Sequence, residues 1–297
     1  LAPYGEVTVW TTRFADRAEF FERNAPADIV LNVRSYCIFD EEAFDRAPDL
    51  KMISILGTGT DNVDLAAATR RGIVVTNTPG VGAPSVAELT IGLILAAART
   101  IPAFDGQVRA GVWQHVEGPE LEGKTLGLLG LGAIGSRVAR IARGLGMRVV
   151  AWSFRDDPAR AAALGVELGP RDEVFRQADV LSLHLRNSPE ARGLVGRHEL
   201  ALMKPTAILV NTARAALVDD AALVEALRDH RIAGAGIDVF LQEPVTAENN
   251  PYAGLDNVVL TPHAGAVTRE ANARSRAMPV DNIIAFLEGR PEHVVNP

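Results

Sequence analysis

The sequence feature that most constrains the fold of this chain is a glycine-rich segment near its middle. A short apolar run, Leu126–Leu129, leads directly into Gly130-Leu131-Gly132-Ala133-Ile134-Gly135. After this turn, apolar residues recur at helical spacing, at Ile134, Val138 and Ile141. The segment is therefore predicted to form a strand, a tight turn and a helix, in that order.

A strand, turn and helix of this kind can hold a dinucleotide. Gly130 can adopt the turn conformation, Gly132 lets the backbone approach a pyrophosphate, and Gly135 allows close packing of helix on strand. The helix N-terminus offers unpaired N–H groups to the anion. A glycine-rich turn without a ligand is the alternative, and the flanking strand and helix favour the dinucleotide. The expected contacts are Gly130, Gly132, Ala133, Ile134 and Gly135.

Composition argues against several classes of protein. The formal net charge is −7 and no run of Lys and Arg stands out, so a nucleic-acid surface is not expected. The single cysteine, Cys37, excludes an internal disulfide and a cysteine metal cluster, and it favours a reducing compartment. No apolar segment approaches the roughly 20 residues that span a bilayer. We expect a cytoplasmic protein without a metal site or membrane contact.

The first part of the chain is predicted to be a small α/β domain. Apolar runs that alternate with helical segments indicate a parallel sheet, and they lie at Asp28–Val33, Leu50–Leu56 and Gly72–Val75. Gly5–Trp10 lacks the pattern of a buried strand and Leu1 is not a methionine, so we expect residues to be missing upstream. The segment Thr76–Pro84 indicates a linker. Ser85-Val86-Ala87-Glu88 has the spacing of a capping box that opens a helix ending at Arg99.

The remainder is predicted to form a doubly wound parallel sheet. Strands buried on both faces are nearly continuous apolar runs. Such runs recur at Arg148–Trp152, Val180–Leu183, Ala207–Val210, Gly234–Val239 and Val258–Leu260. A helix predicted over Thr268–Leu287 has no later strand beside it, so it is expected to close the first domain. This assigns residues 1–82 and 268–297 to one domain and residues 83–267 to the other.

Ionisable residues follow several predicted strands at their carboxyl ends, where open parallel sheets bind ligands. Four of them are His184, Arg214, Asp238 and His263. The planar guanidinium of Arg214 suits a carboxylate or a polarised carbonyl, and an ordinary surface salt bridge is the alternative. His263 is a candidate proton donor, because histidine is the usual one near neutral pH.

Two loops complete the candidate site. Glu243 can orient an imidazole and stabilise its protonated form, or it can be a solvated loop acid. The loop Gly57–Val63 has two glycines and can hold a carboxylate on its backbone amides, and a plain turn is equally compatible. An arginine, a histidine and an acid beside a nicotinamide-type cofactor indicate carbonyl reduction.

With these residues, the chain resembles the D-isomer-specific 2-hydroxyacid dehydrogenases over nearly its full length. The matching stretches keep the family's order: Gly57–Asp64, Gly72–Gly80, Ser85–Arg99, Gly123–Gly135, Ser182–Gly193, Met203–Asp219, Gly234–Pro244 and Thr261–Gly265. The resemblance implies a Rossmann domain inserted in a smaller flavodoxin-like substrate domain, with the active site in the cleft between them. It also implies NAD(P)H-dependent interconversion of a 2-oxoacid and a D-2-hydroxyacid.

The resemblance also implies residue roles. His263 becomes the acid/base, Glu243 its partner, and Arg214 the residue that binds the substrate carboxylate and carbonyl. The backbone of Thr58 and Gly59 would hold the carboxylate. The further cofactor contacts implied are Ser153, Phe154, Arg155, His184, Thr212, Ala213 and, against the nicotinamide carboxamide, Asp238.

This chain departs from the family's pattern at two positions. Ala215 replaces the glycine that usually follows the arginine, and Arg186 replaces a proline near the expected adenosine half. The family is typically dimeric through the cofactor domain. The helix Ser85–Arg99 and the segment Ile101–Trp113 offer apolar surface for such a homodimer.

The choice of cofactor depends on the end of the second Rossmann strand. NAD-selective domains place a carboxylate there to bind the ribose 2′-hydroxyl. This chain has Ser153-Phe154-Arg155 instead, a hydroxyl and a guanidinium that favour NADP(H) through its 2′-phosphate. Asp156 and Asp157 follow at once and can neutralise Arg155 or reach the ribose themselves.

Three rival functions belong to proteins of the same fold. A formate dehydrogenase of this fold would be expected to carry an amide in place of Glu243, and a phosphite dehydrogenase a lysine in place of Thr58. A cofactor-sensing corepressor of the same fold would keep the catalytic residues, so it stays open as a binding-module alternative.

The side chain of the substrate is undetermined. The candidate residues for its pocket are Val33, Arg34, Ser35, Ile55 and Leu56.

Overall fold

The computed structural model describes residues 1–33 and 37–297, and the chain divides into two compact units. The first unit comprises Leu1–Gly82 and Thr268–Pro297, and the second comprises Ala83–Val267. Arg34 and Ser35, two of the candidate pocket residues, lie outside the described residues.

The first unit is a parallel sheet with helices. Its described strands are β1 (Ile29–Asn32), β2 (Met52–Ile55) and β3 (Val74–Thr76), in the order β1-β2-β3. Its helices are α1 (Arg17–Asn24), α2 (Glu41–Arg46), α3 (Leu65–Arg70) and, from the second segment, α11 (Arg269–Leu287), with a short 3-10 helix at Ala2–Tyr4. Carboxylates of Asp16, Asp40 and Asp64 cap the first three helices, because each accepts a backbone N–H of the first turn.

The second unit, all of which is described, contains a seven-stranded parallel sheet. Its strands are β4 (Thr125–Leu129), β5 (Arg148–Trp152), β6 (Glu167–Leu168), β7 (Val180–Leu183), β8 (Ile208–Asn211), β9 (Gly234–Ile237) and β10 (Val258–Leu260). Its helices are α4 (Ala83–Ala98), α5 (Ile101–Arg109), α6 (Ala133–Gly144), α7 (Pro158–Leu164), α8 (Arg171–Gln177), α9 (Arg197–Leu202) and α10 (Asp220–Arg228), with a 3-10 turn at Ala215–Leu217.

Alternate strand residues of this sheet enter two separate cores. Leu126 and Leu128 of β4 pack with residues of α4 and α6, whereas Leu129 packs with residues of α8, α9 and α10. Because successive strand residues point to opposite faces, the sheet is covered by helices on both sides. The prediction of a Rossmann-type doubly wound α/β domain is confirmed.

The strand order is β10-β9-β8-β7-β4-β5-β6. The chain runs outward from β4 through β5 to β6, then crosses back to β7 and runs outward in the other direction. The order therefore reverses between β4 and β7. In open parallel sheets, ligands bind beyond the carboxyl ends of the strands at this reversal.

Several element boundaries differ from the sequence prediction. The capping box at Ser85 is wrong, because α4 begins at Ala83 and Ser85 is buried inside its first turn. Pro84 belongs to that first turn, where a missing N–H removes no helical hydrogen bond. The predicted strand over 234–239 ends at Ile237, so Asp238 follows it directly. Helices α1, α5 and α8 and the two-residue strand β6 were not predicted.

Within the described residues, none of the helices taken singly has the length and apolarity to cross a membrane. By length and composition alone, one bent pair, Ala83–Ala98 with Ile101–Arg109, passes that test at an angle of 63°. Cys37 is partly buried and packs against the core of the first unit.

Candidate active site

Six of the predicted site segments lie side by side at one edge of the second unit's sheet. Reading across the sheet, the loops follow β10, β9, β8, β7, β4 and β5, and all strands are parallel. The residues that follow these strands are His263, Asp238, Arg214, His184, Gly130 and Ser153. Neighbouring strands lie about 4.8 Å apart. His263, Asp238 and Arg214 therefore lie next to one another along the edge, and the cofactor candidates His184, Gly130 and Ser153 follow beside them.

The glycine-rich turn lies at the reversal of strand order. Gly130 has φ +104°, and a Cβ there would lie 2.6 Å from the His184 carbonyl oxygen. A Cβ at Gly135 would lie 2.1 Å from the Gly130 carbonyl oxygen, so both positions exclude a side chain. A Cβ at Gly132 would meet nothing within 4 Å, although this glycine caps α6. The free space at Gly132 is open to a ligand, and Ala133 and Ile134 form the first turn of α6 beside it.

His184 packs directly against this turn. Its Nε2 lies 3.0 Å from the hydroxyl oxygen of Ser182, and burial lowers the pKa of His184 to about 3. The imidazole is therefore neutral at physiological pH. Its buried Nδ1 has no hydrogen-bond partner among the described residues. A buried polar atom without a partner is costly, so a bound ligand or water that reaches Nδ1 would be stabilising.

The end of β5 carries the residues predicted to select the cofactor. The Ser153 hydroxyl oxygen accepts the Leu131 N–H at 3.1 Å, which leaves its own hydrogen for another acceptor. Phe154 is half exposed and its ring lies 4.9 Å from that of Trp152. Arg155 is exposed, and no hydrogen bond or ion pair joins it to the described residues.

Asp157 does not neutralise Arg155. One of its carboxylate oxygens accepts the Arg160 N–H at 2.9 Å and thereby caps α7, and the other lies 3.2 Å from the Arg160 guanidinium. Arg160 also donates to the Leu131 carbonyl at 3.1 Å. Of the two carboxylates that are alternative ribose ligands, Asp156 and Asp157, that of Asp157 thus caps a helix.

His263 and Glu243 form a direct pair. Nδ1 of His263 lies 2.8 Å from Oε2 and 3.1 Å from Oε1 of Glu243, and Oε1 also accepts the Phe240 N–H at 3.1 Å. A carboxylate only accepts, so Nδ1 carries a hydrogen and Nε2 is left for chemistry. His263 has φ +52°, and its N–H donates to the Thr261 carbonyl at 3.0 Å across Pro262. Unusual backbone of this kind clusters at functional sites.

Asp238 holds the loop that carries His263. Its Oδ1 accepts the Thr261 hydroxyl at 2.6 Å and the Ala264 N–H at 2.8 Å, and its Oδ2 accepts the Gly265 N–H at 3.0 Å. The side chain is buried, with 1% exposure. Asp238 thus fixes the residues on both sides of His263, a role that the sequence did not reveal.

Arg214 is held by a local turn after β8. Asn211 accepts the Ala213 N–H at 3.0 Å and donates to the Arg214 carbonyl at 2.9 Å. The guanidinium donates to the Ala213 carbonyl at 2.8 Å. Thr212 and Ala213 are buried, and the Thr212 hydroxyl lies 2.8 Å from that of Thr90 in α4. Asn211 was missed by sequence reasoning, and its position as the last strand residue was the available signal.

The first unit contains the loop predicted to hold a carboxylate. The Gly57 carbonyl accepts the Thr78 N–H at 2.9 Å, and the Thr58 carbonyl accepts Nδ2 of Asn77 at 2.7 Å. In a trans peptide, the carbonyl and the following N–H point in opposite directions. The N–H groups of Thr58 and Gly59 therefore point away from Asn77 and Thr78. Successive backbone N–H groups can bind an anion, and for Thr58 and Gly59 this stays a prediction.

Comparisons with known proteins identify the family of this chain. The model of the family described as D-isomer specific 2-hydroxyacid dehydrogenase, NAD binding domain, matches residues 91–265. The chain is 42% identical to a glyoxylate reductase of Aeropyrum pernix, over 100% of this chain and 91% of that protein.

Two solved structures are similar over nearly the whole chain. An acyclic imino acid reductase in complex with NADPH and D-Arg has a TM-score of 0.89 and 30% identity, over 99% of this chain and 93% of that chain. A D-lactate dehydrogenase from Aquifex aeolicus, complexed with NAD and lactic acid, has a TM-score of 0.87 and 29% identity, over 93% and 89% respectively.

Proposed function

The chain belongs to the D-isomer specific 2-hydroxyacid dehydrogenase family, and on that premise we propose that His263, Glu243 and Arg214 are its catalytic group. The protein is an NAD(P)-dependent oxidoreductase that interconverts a 2-oxoacid and a D-2-hydroxyacid. The observation that carries the assignment of residues is the contact of Glu243 with Nδ1 of His263 at the carboxyl end of the sheet. No observation favours the corepressor alternative.

The residues at the reversal of strand order fit a nicotinamide dinucleotide. Three features fit the cofactor: the space at Gly132, the N-terminus of α6 and the Nδ1 of His184, which has no partner among the described residues. We assign the pyrophosphate to Gly132, Ala133, Ile134 and the N-terminus of α6. When bound in its reduced form, the cofactor supplies the hydride. We assign Thr212, Ala213 and the remaining lone pair of Asp238 to its nicotinamide half.

Proton transfer is assigned to His263 and Glu243. Because Glu243 holds the Nδ1 hydrogen of His263, Nε2 is the atom that donates a proton to the substrate carbonyl oxygen during reduction. In the reverse direction, Nε2 accepts the hydroxyl proton of the 2-hydroxyacid. The Glu243 carboxylate stabilises the imidazolium that exists on one side of each transfer.

Two groups are assigned to the substrate. The Arg214 guanidinium binds the carboxylate and polarises the carbonyl, since its planar fork matches both oxygens. The amides of Thr58 and Gly59 in the first unit bind a carboxylate. A small 2-oxoacid is the proposed substrate class, because the relative from Aeropyrum pernix is a glyoxylate reductase.

The test is an absorbance assay of NADPH and NADH oxidation with glyoxylate, hydroxypyruvate, pyruvate and bulkier 2-oxoacids. We expect turnover that requires the 2-oxoacid and yields the D-hydroxyacid, identified by chiral chromatography. An L-hydroxyacid product, or no turnover with any member of the panel, contradicts the proposal.

NADP(H) is the proposed preferred cofactor. Ser153 has a hydrogen to donate, Arg155 is an exposed cation, and Asp157 is occupied by Arg160. Hydrogen bonds to charged groups contribute about 1.5–3 kcal/mol, so Arg155→Ala is expected to lower kcat/KM for NADPH about tenfold to a hundredfold. The value for NADH should hardly change. Arg140→Ala, which removes an exposed arginine of α6, is the control. Equal losses with both cofactors contradict the assignment.

A homodimer is also proposed. Exposed apolar side chains cluster in one stretch of the second unit, where Ile101, Val108 and Trp113 are 52%, 56% and 79% exposed. Clusters of this kind mark protein interfaces. Trp113→Asp is expected to convert a dimer to a monomer in light scattering. Trp10→Asp, in the other unit, is the matched control, and a monomeric wild type at micromolar concentration contradicts the proposal.

We propose the cytoplasm as the location. The supporting observation is that the sequence has a single cysteine and so cannot form an internal disulfide, a bond that accumulates in oxidising compartments.

A further inference from the structure

A closed ring of three hydrogen bonds lies next to the loop Gly57–Val63 of the first unit, the loop that is predicted to bind a carboxylate. The Asn77 N–H donates to the His293 carbonyl at 3.3 Å, and Nδ2 of Asn282 donates to the Asn77 carbonyl at 2.9 Å. Nδ1 of His293 lies 2.9 Å from Oδ1 of Asn282 and closes the ring. The ring joins the residue after β3, the helix α11 and the segment that follows α11.

The donors and acceptors of the ring are unambiguous. Nδ2 of Asn77 faces the Thr58 carbonyl and Nδ2 of Asn282 faces the Asn77 carbonyl, and a carbonyl oxygen can only accept. The remaining Asn282 oxygen faces Nδ1 of His293, so Nδ1 carries a hydrogen. Asn77 is 6% exposed and Asn282 is 1% exposed, so water cannot easily replace these partners.

The side chain of Asn77 extends from this ring to the loop. The ring fixes the Asn77 backbone on both sides of its Cα, and Nδ2 then anchors the Thr58 carbonyl at 2.7 Å. Because the Thr58–Gly59 peptide is planar, anchoring the carbonyl sets the direction of the Gly59 N–H. The neighbouring Gly57 carbonyl is held independently, by the backbone of Thr78.

We propose that Asn77 is a positioning residue for substrate binding, and that Asn282 and His293 hold it in place. This rests on the proposed function, in which the Thr58 and Gly59 amides bind the substrate carboxylate. Asn77 does not touch the substrate. It orients the Gly59 N–H, and without it the Thr58–Gly59 peptide can rotate, so that the amide no longer points at the anion.

The test pairs Asn77→Ala with Asn296→Ala. Asn296 is a matched control, because its side chain also joins the end of the chain to β3, accepting the Val75 N–H at 2.7 Å and donating to the Ile73 carbonyl at 2.8 Å. We expect Asn77→Ala to raise KM for the 2-oxoacid about tenfold, as for loss of one good hydrogen bond to an anion. kcat and the cofactor KM should change little. An equal rise in Asn296→Ala overturns the proposal, since general loosening would then explain both.

A second readout does not depend on turnover. Oxamate, an unreactive carboxylate, is titrated into isotope-labelled protein while the amide resonances of Thr58 and Gly59 are followed by NMR. We expect both resonances to shift in the wild type and the Gly59 shift to be lost in Asn77→Ala. An unchanged Gly59 response in the variant overturns the positioning role, whereas failure of the wild type to reduce any 2-oxoacid overturns the proposed function. If Asn77→Ala does not fold, Asn282→Asp, which removes the donor to the Asn77 carbonyl, is used and should show a smaller change in the same direction.

Discussion

His263→Asn is expected to reduce kcat by about 10²–10⁴-fold while NADPH still binds, because a positioned acid/base contributes that much to rate. Asparagine is chosen because His263 has φ +52°, a left-handed conformation that asparagine adopts more readily than other non-glycine residues. The variant therefore removes the titratable ring without imposing a large backbone penalty. The measurements are steady-state rates and cofactor affinity by fluorescence.

The chain offers a control of the same kind. His230 is an exposed histidine with φ +52° in the same unit, so His230→Asn makes the same chemical change in the same backbone conformation. Its kcat should equal that of the wild type. The kcat of Glu243→Gln should lie between those of His263→Asn and His230→Asn. An amide can still orient the imidazole ring, but it does not carry the charge that stabilises an imidazolium. A His263→Asn enzyme with near wild-type kcat would remove His263 from the mechanism.

Gly132→Ala is expected to weaken cofactor binding, whereas Gly135→Ala is expected to destabilise the fold. A Cβ at Gly135 would lie 2.1 Å from the backbone oxygen of Gly130, so the turn must shift, and stability should fall by about 3 kcal/mol, the upper part of the range for overpacking. A Cβ at Gly132 would meet nothing within 4 Å, so the protein's melting temperature should hardly change. Its methyl group would instead occupy the space assigned to the pyrophosphate.

Thermal unfolding and cofactor titration of both variants separate these effects. We expect Gly132→Ala to keep its Tm and to lose at least tenfold in NADPH affinity, about 1.4 kcal/mol. Gly135→Ala should lower the Tm, and its weaker NADPH binding should follow from that loss of stability. Unchanged NADPH affinity in Gly132→Ala would show that the cofactor does not approach the backbone at this glycine.

The elements that sequence reasoning found share a strong local pattern. Strands β5, β7 and β10 have the predicted bounds, because each is an apolar run set between polar or turn residues. Helix α8 was missed, since its two buried residues, Val174 and Phe175, are adjacent and give no helical period. The start of α4 was misplaced because a capping-box pattern and a proline in the first turn indicate different N-termini.

The sequence by itself determined the glycine turn and the Rossmann-type domain, and it predicted Arg214, Glu243 and His263 as the catalytic residues. These follow from local periodicity, from strand ends and from motifs that lie within short stretches of chain. The contact of Glu243 with His263 spans only 20 residues, and both belong to motifs of the family.

Only the tertiary structure decided which polar groups hold the site in place. Asn77 and Asn282 are 205 residues apart, Asp238 and Gly265 are 27 apart, and nothing in the local sequence of either pair indicates its partner. It also decided that Asp157 caps a helix, and that a side chain would collide at Gly135 and find space at Gly132. The physical reason is that hydrogen-bond geometry and excluded volume depend on distances in space, whereas periodicity and motifs record only distances along the chain.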